Sequence, residues 1–386
     1  MVTNDYDIII LGDNFMKYNK PMYVDFSLTP YCNLNCGFCY ASSCGKISKD
    51  KELTLEDFDR AFSELDELEV LRVGFEGGEP FLRDDIIEIF KLADKHSFTY
   101  FVNTNGTLIT KEIAHKLKET NIDKLCVSID GPNAEINDLS RGRKGSFEKT
   151  REGIKYLLDE GLDVDGVFTL NRINKDYVTE TLEYMKKIGI KVAVIMLLAS
   201  VGSAGNNMEE YYLSYDEWED ILLNLTKLKN KNFLPLYLSI VPPGEGLGQW
   251  EIYLPLKNAN MLSYLECWVP DNRTSTLSSS DYGCTAGKDN FCIDGYGNVT
   301  GCSMMISQKK FKAGNLKNES LVEIWKNSEV FRELRESNLE NVQGKCKGCE
   351  ILDKCKGGCR ACAYAFHNDI NGSDERCPIK EKPYVY

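Results

Sequence analysis

Cys32-Asn33-Leu34-Asn35-Cys36-Gly37-Phe38-Cys39 follows closely on Tyr23–Leu28, a short run with the look of a buried strand. Its three cysteines are separated by three and then two residues. Thiolates are the usual ligands of iron–sulfur clusters, and a cubane needs four of them for full ligation. Three cysteines at this spacing can hold three irons of a [4Fe–4S] cluster. The fourth iron is then open to a small molecule that binds and reacts there. The competing readings are a structural zinc loop and a chance cluster. A zinc loop would call for a fourth protein ligand.

Outward from this loop, strand and helix patterns alternate from Met22 to about Leu198. Strand-like segments are Tyr23–Leu28, Val70–Phe75, Phe98–Val102, Leu125–Ile129, Val164–Leu170 and Val192–Leu198. Helix-like stretches run from Thr54, near Asp85–Lys95, and over Lys111–Thr120, Ser146–Glu160 and Tyr177–Ile188. Thr54 offers an N-cap oxygen, and acidic residues fill the turn after it. Six β–α repeats require a parallel sheet with right-handed crossovers. The expected fold is therefore α/β, a partial (β/α)6 barrel of TIM type. Active sites of such barrels lie at the C-terminal ends of the strands, where the three cysteines fall.

The division expected along the chain is an N-terminal extension over 1–20, the barrel over 21–213, a helix and connector over 214–280, and a cysteine-rich domain over 281–386. Ser214 and Glu217 stand in capping-box spacing at the start of a helix over Ser214–Lys231. Pro235–Asp281 is rich in Pro, Gly and Ser and carries Trp250, Tyr253, Tyr264 and Trp268. It reads equally as a cleft wall or as a surface bridge.

Hydrophobic residues make up 42 % of the 386-residue chain, ample for a core of this size. No apolar run approaches the roughly 20 residues needed to span a bilayer. Ile8-Ile9-Ile10-Leu11 lacks the basic flank and cleavage site of a signal peptide. A formal charge of −13, spread along the chain, argues against a nucleic-acid backbone as partner. These features point to a cytoplasmic protein with no membrane partner. In that compartment fifteen cysteines beside three histidines favour metal or redox chemistry over disulfides.

Four further groups fall at successive strand ends. Gly77-Gly78-Glu79-Pro80 closes the second; its glycines let backbone approach a ligand, and its carboxylate can accept from an ammonium. Asn103-Thr104-Asn105-Gly106 closes the third with amides and a hydroxyl. Ser128-Ile129-Asp130-Gly131 closes the fourth, placing Ser128 and Asp130 on one face. Arg141 comes a short loop later and could pair with a carboxylate, with Arg143 its competitor.

Together with Cys32, Cys36 and Cys39, this set resembles the radical S-adenosylmethionine (SAM) enzymes. The resemblance implies that the amine and carboxylate of SAM occupy the open iron. One electron from the cluster then cleaves SAM to a 5′-deoxyadenosyl radical. It implies SAM contacts at Gly77, Gly78, Glu79, Asn103, Asn105, Ser128, Asp130 and Arg141, with Phe38 near the adenine.

Toward the C-terminus stand Cys284, Gly297, Cys302, Cys346, Cys349, Cys355, Cys359 and Cys377. So many thiols exceed the two pairs of a zinc ribbon and suit two more cubanes. The spacing, with Gly357-Gly358-Cys359-Arg360, resembles the SPASM extension of radical SAM enzymes. By that family's interleaved pattern, Cys284, Cys302 and Cys359 hold a nearer auxiliary cluster, with Cys292 as its fourth ligand or else with one iron open. Cys346, Cys349, Cys355 and Cys377 hold an outer one. The resemblance thus implies three [4Fe–4S] clusters and SAM as cofactors. Cys267 is a candidate hydrogen-atom donor or a buried bystander.

SPASM relatives mostly modify peptides. The activity implied is hydrogen abstraction from a ribosomally made precursor peptide, with oxidative cross-linking as the leading outcome and epimerisation as an alternative. Auxiliary clusters offer an exit for the second electron of an oxidation. The partners implied are the precursor peptide and a flavodoxin- or ferredoxin-type reductant. Only 31 residues precede Cys32, which leaves no room for a fused leader-binding module and calls for a separate recognition protein or for recognition through the core peptide itself. Sulfatase maturases carry an aspartate base where Ser303 follows Cys302, which weakens that likeness. Haem-pathway decarboxylases acting on porphyrin propionates share the Gly-Gly-Cys-Arg tail and form the alternative reading. A non-catalytic electron carrier would have no use for a SAM pocket.

Overall fold

The computed structural model describes residues 20–43, 52–231, 237–241, 250–268 and 280–379. The run Ile8–Leu11, nearly all of the expected N-terminal extension, Cys44 and much of the expected connector lie outside the described residues.

Strand β1 (Tyr23–Thr29) shows why the sheet forms where it does. Val24, Phe26 and Leu28 are wholly buried on one face, and Asp25, Ser27 and Thr29 are buried on the other. A strand covered on both sides is the signature of a parallel sheet with helices outside it. Five more strands follow in order: β2 (Arg72–Gly77), β3 (Thr99–Thr104), β4 (Lys124–Ser128), β5 (Val164–Leu170) and β6 (Val192–Leu197). Each pairs in parallel with its predecessor. The helices between them are α1 (Leu55–Glu67), α2 (Ile86–Ala93), α3 (Lys111–Leu117), α4 (Ala134–Arg141), α5 (Ser146–Asp159) and α6 (Val178–Lys187). Thr54 caps α1 in a full capping box with Asp57, as its sequence requires.

Aromatic rings lock the first turns of this layer together. Phe75 of β2 lies 5.2 Å from Tyr100, 5.7 Å from Phe62 and 5.8 Å from Phe90, ring centre to ring centre. Such pairs add roughly 0.5–1.5 kcal/mol each beyond the area they bury.

The sheet runs past the six-strand expectation at both edges. On one side β7 (Tyr237–Val241) pairs in parallel with β6. On the other, β8 (Asn290–Ile293) pairs in parallel with β1, and β9 (Asn298–Thr300) and β10 (Gly314–Asn315) add antiparallel. The order is β10-β9-β8-β1-β2-β3-β4-β5-β6-β7. Short strands of two to five residues flanked by breakers carry too little periodicity to be read from sequence.

After β6 come α7 (Gly202–Asn206), α8 (Met208–Tyr211) and α9 (Tyr215–Asn230), the last capped by Ser214 and Glu217 as expected. Helix α10 (Trp250–Asn258) lies in the stretch read as connector. The cysteine-rich part adds α11 (Leu321–Asn327), α12 (Glu329–Glu336), α13 (Leu352–Cys355) and α14 (Arg360–His367). Arg360 is buried there, donating to Ile370 O and Gly372 O, with its guanidinium 4.3 Å from the Tyr282 ring. Among the described residues no helix is long and apolar enough to cross a membrane.

Candidate active site

The loop after β1 carries Cys32, Cys36 and Cys39 at the C-terminal rim of the barrel, close enough that Cys36 and Cys39 act on the Cys32 thiol. Leu34 N donates to Cys32 Sγ (3.4 Å), and Asn105 Nδ2 stands 3.8 Å from it. Burial pushes the Cys32 thiol up to about 12 and raises Cys36 as well. Iron displaces such protons on binding, which couples cluster loading to pH. Among the described residues no three His, Cys, Asp or Glu side chains close on a single-ion position. Three thiols on one loop can serve three corners of a cubane and leave its fourth iron open.

Close approach explains the glycines of the second strand end. A Cβ on Gly78 would stand 1.9 Å from Tyr31 O, and Gly77 has φ +136°. Glu79, wholly buried, uses both carboxylate oxygens within the protein. Oε1 accepts from Thr104 Oγ1 (2.7 Å) and Phe81 N (3.2 Å), and Oε2 from Asn105 N (2.7 Å). It ties the second and third strand ends together, so a ligand ammonium would share these oxygens with three protein donors. Burial raises its carboxyl to about 7 against those hydrogen bonds. Asn105 also donates to Asn33 Oδ1 (2.8 Å), joining the third strand end to the cysteine loop.

The fourth strand end holds a buried ion pair. Asp130 is fully buried and its Oδ2 lies 2.7 Å from Arg141 Nε. Asp130 Oδ1 accepts from Thr169 N (2.8 Å) at the end of β5. Burial raises the Asp130 carboxyl, and the Arg141 guanidinium opposes the rise. Arg141 ends α4, a helix capped by Asn133 and by the left-handed Gly142, where the sequence suggests only a short loop. Its guanidinium lies 5.6 Å from the Phe38 ring, and Nη1 is 4.0 Å from Cys36 Sγ. Arg141 Nη2 is buried without a hydrogen-bond partner among the described residues, a donor available to a carboxylate. Arg143 is exposed and outside this group. Asn103 and Ser128 are half-buried near the ends of β3 and β4.

The C-terminal cysteines gather in two places. Cys346, Cys349, Cys355 and Cys377 line one small cavity with Trp250 and Asp374, with about 320 Å³ of empty space. Four cysteines lining one small space are the donor set of a cubane. At the other place, Cys284 and Cys292 act on the Cys302 thiol or feel it, and Cys292, wholly buried in β8, pairs in register with Asp25. Cys359 is buried at the start of α14, where its N donates to Asp374 Oδ2 (3.2 Å), and its thiol, like that of Cys362 one turn on, is free.

Between the rim and the quartet of cysteines runs a cleft with about 730 Å³ of empty space, its mouth included. Leu170, Leu197 and Leu198 come from the ends of β5 and β6. Tyr212, Tyr215 and Trp218 come from around α9, and Trp250, Glu251 and Arg376 from beyond it. Leu198 also packs with Phe38, which puts the cleft next to the cysteine loop. Cys267 is not among its lining residues; it packs on the main core near Lys229.

Comparison with known proteins places this geometry. Residues 26–185 match the radical SAM superfamily, and residues 284–350 match the SPASM iron–sulfur cluster-binding domain. The AdoMet-dependent heme synthase of Methanosarcina barkeri is 30 % identical over 366 residues, covering 95 % of this chain and 96 % of the relative. The chain belongs to the radical SAM superfamily, in its SPASM-bearing branch. The mycofactocin maturase MftC of Mycolicibacterium smegmatis is also 30 % identical, over 93 % of this chain and 83 % of its own. In fold, the chain is similar to Streptococcus suis SuiB, crystallised with its precursor peptide SuiA, at a TM-score of 0.74 and 18 % identity. That match covers 93 % of this chain and 76 % of SuiB. The chain is thus a radical SAM enzyme whose cofactors are SAM, a SAM-binding [4Fe–4S] cluster and auxiliary iron–sulfur clusters. When bound, the radical cluster supplies one-electron cleavage of SAM.

Proposed function

We propose that this enzyme modifies a ribosomally made precursor peptide in the cytoplasm, abstracting a hydrogen and completing an oxidative cross-link. The observation that carries the reading is the polarity of the cleft. Trp250 Nε1 and Tyr212 Oη are buried polar atoms without a hydrogen-bond partner among the described residues, suited to the carbonyls of a peptide. Arg376 is the one cation among the described lining residues, and it is already paired with Asp374 and Glu251. A porphyrin bearing several propionates would need free cations there. Similarity to a mycofactocin maturase over most of both chains supports the same reading.

In this scheme Cys32, Cys36 and Cys39 hold the radical cluster, and Arg141, oriented by Asp130, receives the SAM carboxylate. Glu79 and Asn105 keep the rim closed around SAM, and Phe38 packs near its adenine. The quartet Cys346, Cys349, Cys355 and Cys377 holds the outer auxiliary cluster; Cys284, Cys302 and Cys359 hold the nearer one, with Cys292 completing it. A flavodoxin- or ferredoxin-type protein delivers the electron, and a separate recognition protein presents the leader.

A second reading, decarboxylation of porphyrin propionates, is favoured by the match to a heme synthase over nearly the whole of both chains. One experiment separates them. The anaerobically reconstituted enzyme is given SAM, reductant and either the precursor peptide or an iron porphyrin with propionate groups, in deuterated water. A peptide losing two hydrogens alongside 5′-deoxyadenosine establishes the cross-linker, and deuterium gain alone establishes epimerisation. Loss of carbon dioxide from the porphyrin with no change in the peptide overturns the proposal.

A further inference from the structure

At the floor of the cleft three buried ionisable side chains belong to two sites at once. Arg376 Nη2 lies 3.2 Å from Glu251, and its Nε lies 3.0 Å from Asp374 Oδ1. Arg376 Nη1 donates to Leu198 O (3.2 Å), anchoring the group to the end of β6. The side chains of Glu251, Asp374 and Arg376 are 2 %, 1 % and 6 % exposed. Arg376 immediately precedes Cys377, and Asp374 lines the cavity of the cysteine quartet. Trp250, the neighbour of Glu251, lines both that cavity and the cleft, with the Arg376 guanidinium 5.8 Å from its ring. One indole is therefore common to the walls of the two spaces, with the ion pair beside it. Burial raises the Glu251 carboxyl to about 8 against the pull of the Arg376 guanidinium, so it carries its full charge only above that pH.

Reduction of a cluster adds a negative charge, and its potential follows the net charge, hydrogen bonding and exposure around it. Buried charges are screened far less than surface ones. A carboxylate beside the quartet disfavours reduction there, and a guanidinium favours it.

We propose that Glu251 and Arg376 are positioning residues that set, from the floor of the substrate cleft, the reduction potential of the cluster held by Cys346, Cys349, Cys355 and Cys377. The inference rests on the quartet being an iron–sulfur site. It does not depend on whether the substrate is a peptide or a porphyrin.

The test is a redox titration at about pH 9, where the Glu251 carboxyl is ionised, of the full, anaerobically reconstituted chain, followed by electron paramagnetic resonance without substrate. Cys349→Ala identifies the outer signal as the one it removes. Glu251→Gln, which keeps the shape, is expected to raise the midpoint potential of that signal. Arg376→Gln is expected to lower it, and the other clusters should stay where they are. Opposite shifts from two variants of one ion pair distinguish a field effect from a loss of packing. If Arg376→Gln fails to load its clusters, Glu251→Gln decides alone. No shift in Glu251→Gln, a shift confined to another cluster, or a downward shift overturns the proposal. Unchanged iron content in Cys349→Ala would instead overturn the quartet as a cluster site.

Discussion

Asp130 accepts from Thr169 N through one oxygen and faces Arg141 Nε at 2.7 Å through the other, with no exposed surface. Removing one partner of a buried pair strands the other charge, at a cost of about 3–5 kcal/mol. Asp130→Asn is therefore expected to lower the unfolding free energy by that order in a urea titration and, by loosening Arg141, to weaken SAM binding about tenfold or more, measured by equilibrium dialysis. Arg141→Lys keeps the charge but loses the planar fork, so it should weaken SAM binding while sparing stability more.

Glu79 gives the residue scale its pH signature. Its folded carboxyl titrates at about 7, above an ordinary value of 4.5. The folded state thus binds the proton more tightly than the unfolded state. Its contribution is fully present below about pH 4.5 and is lost as pH rises through about 7. The total amounts to at most roughly 3.5 kcal/mol. Urea midpoints taken anaerobically at pH 5.5 and 8 should fall with rising pH in the parent and much less in Glu79→Gln. Equal falls in both would assign the slope to other groups.

Individual elements fail in different ways. Phe75, wholly buried between α1 and α2, should cost about 3–5 kcal/mol as alanine, read from a urea titration. Gly78→Ala is a steric matter, because its new Cβ would meet Tyr31 O at 1.9 Å and Cys32 N at 2.8 Å, both backbone atoms that cannot swing aside. It should cost radical-cluster iron while the auxiliary clusters stay loaded, measured by iron content and electron paramagnetic resonance. The strands β1 to β6 and the boxes at Thr54 and Ser214 were legible because hydrophobic runs and caps are local signals. Their ends fell within about two residues, the usual scatter of helix and strand boundaries. Helix α4 has only eight residues, too few for periodicity to declare it, although Asn133 and Gly142 mark both its ends. The commitment of Glu79 to Thr104 and Asn105, and the meeting of Glu251 with Arg376, join residues far apart in sequence, and one sequence carries no signal of such pairing.

At the scale of the molecule, the SPASM part is joined to the barrel by more than a linker. Strand β8 continues the sheet on β1, matching Tyr23 with Asn290 through Phe26 with Ile293. Arg60 Nη2 of α1 donates to Leu316 O at 2.6 Å, Glu64 of the same helix accepts from Ser320 Oγ at 3.1 Å, and Lys317 Nζ reaches Glu52 O at 3.0 Å. A barrel cut after residue 280 would expose the edge of β1, a row of unpaired backbone groups beside the wholly buried Val24 and Phe26. Such an edge is a template for aggregation. The expected outcome is that the fragment ending at residue 280 is insoluble or lacks a cooperative unfolding transition, whereas the full chain unfolds with the two parts coupled. A soluble fragment that melts cooperatively and still binds the radical cluster would show that the barrel stands alone. The parallel pairing of β1 with β8 would then be an accessory to the fold. The first outcome follows if that pairing closes the barrel wall, because the cysteine loop begins only two residues beyond the end of β1.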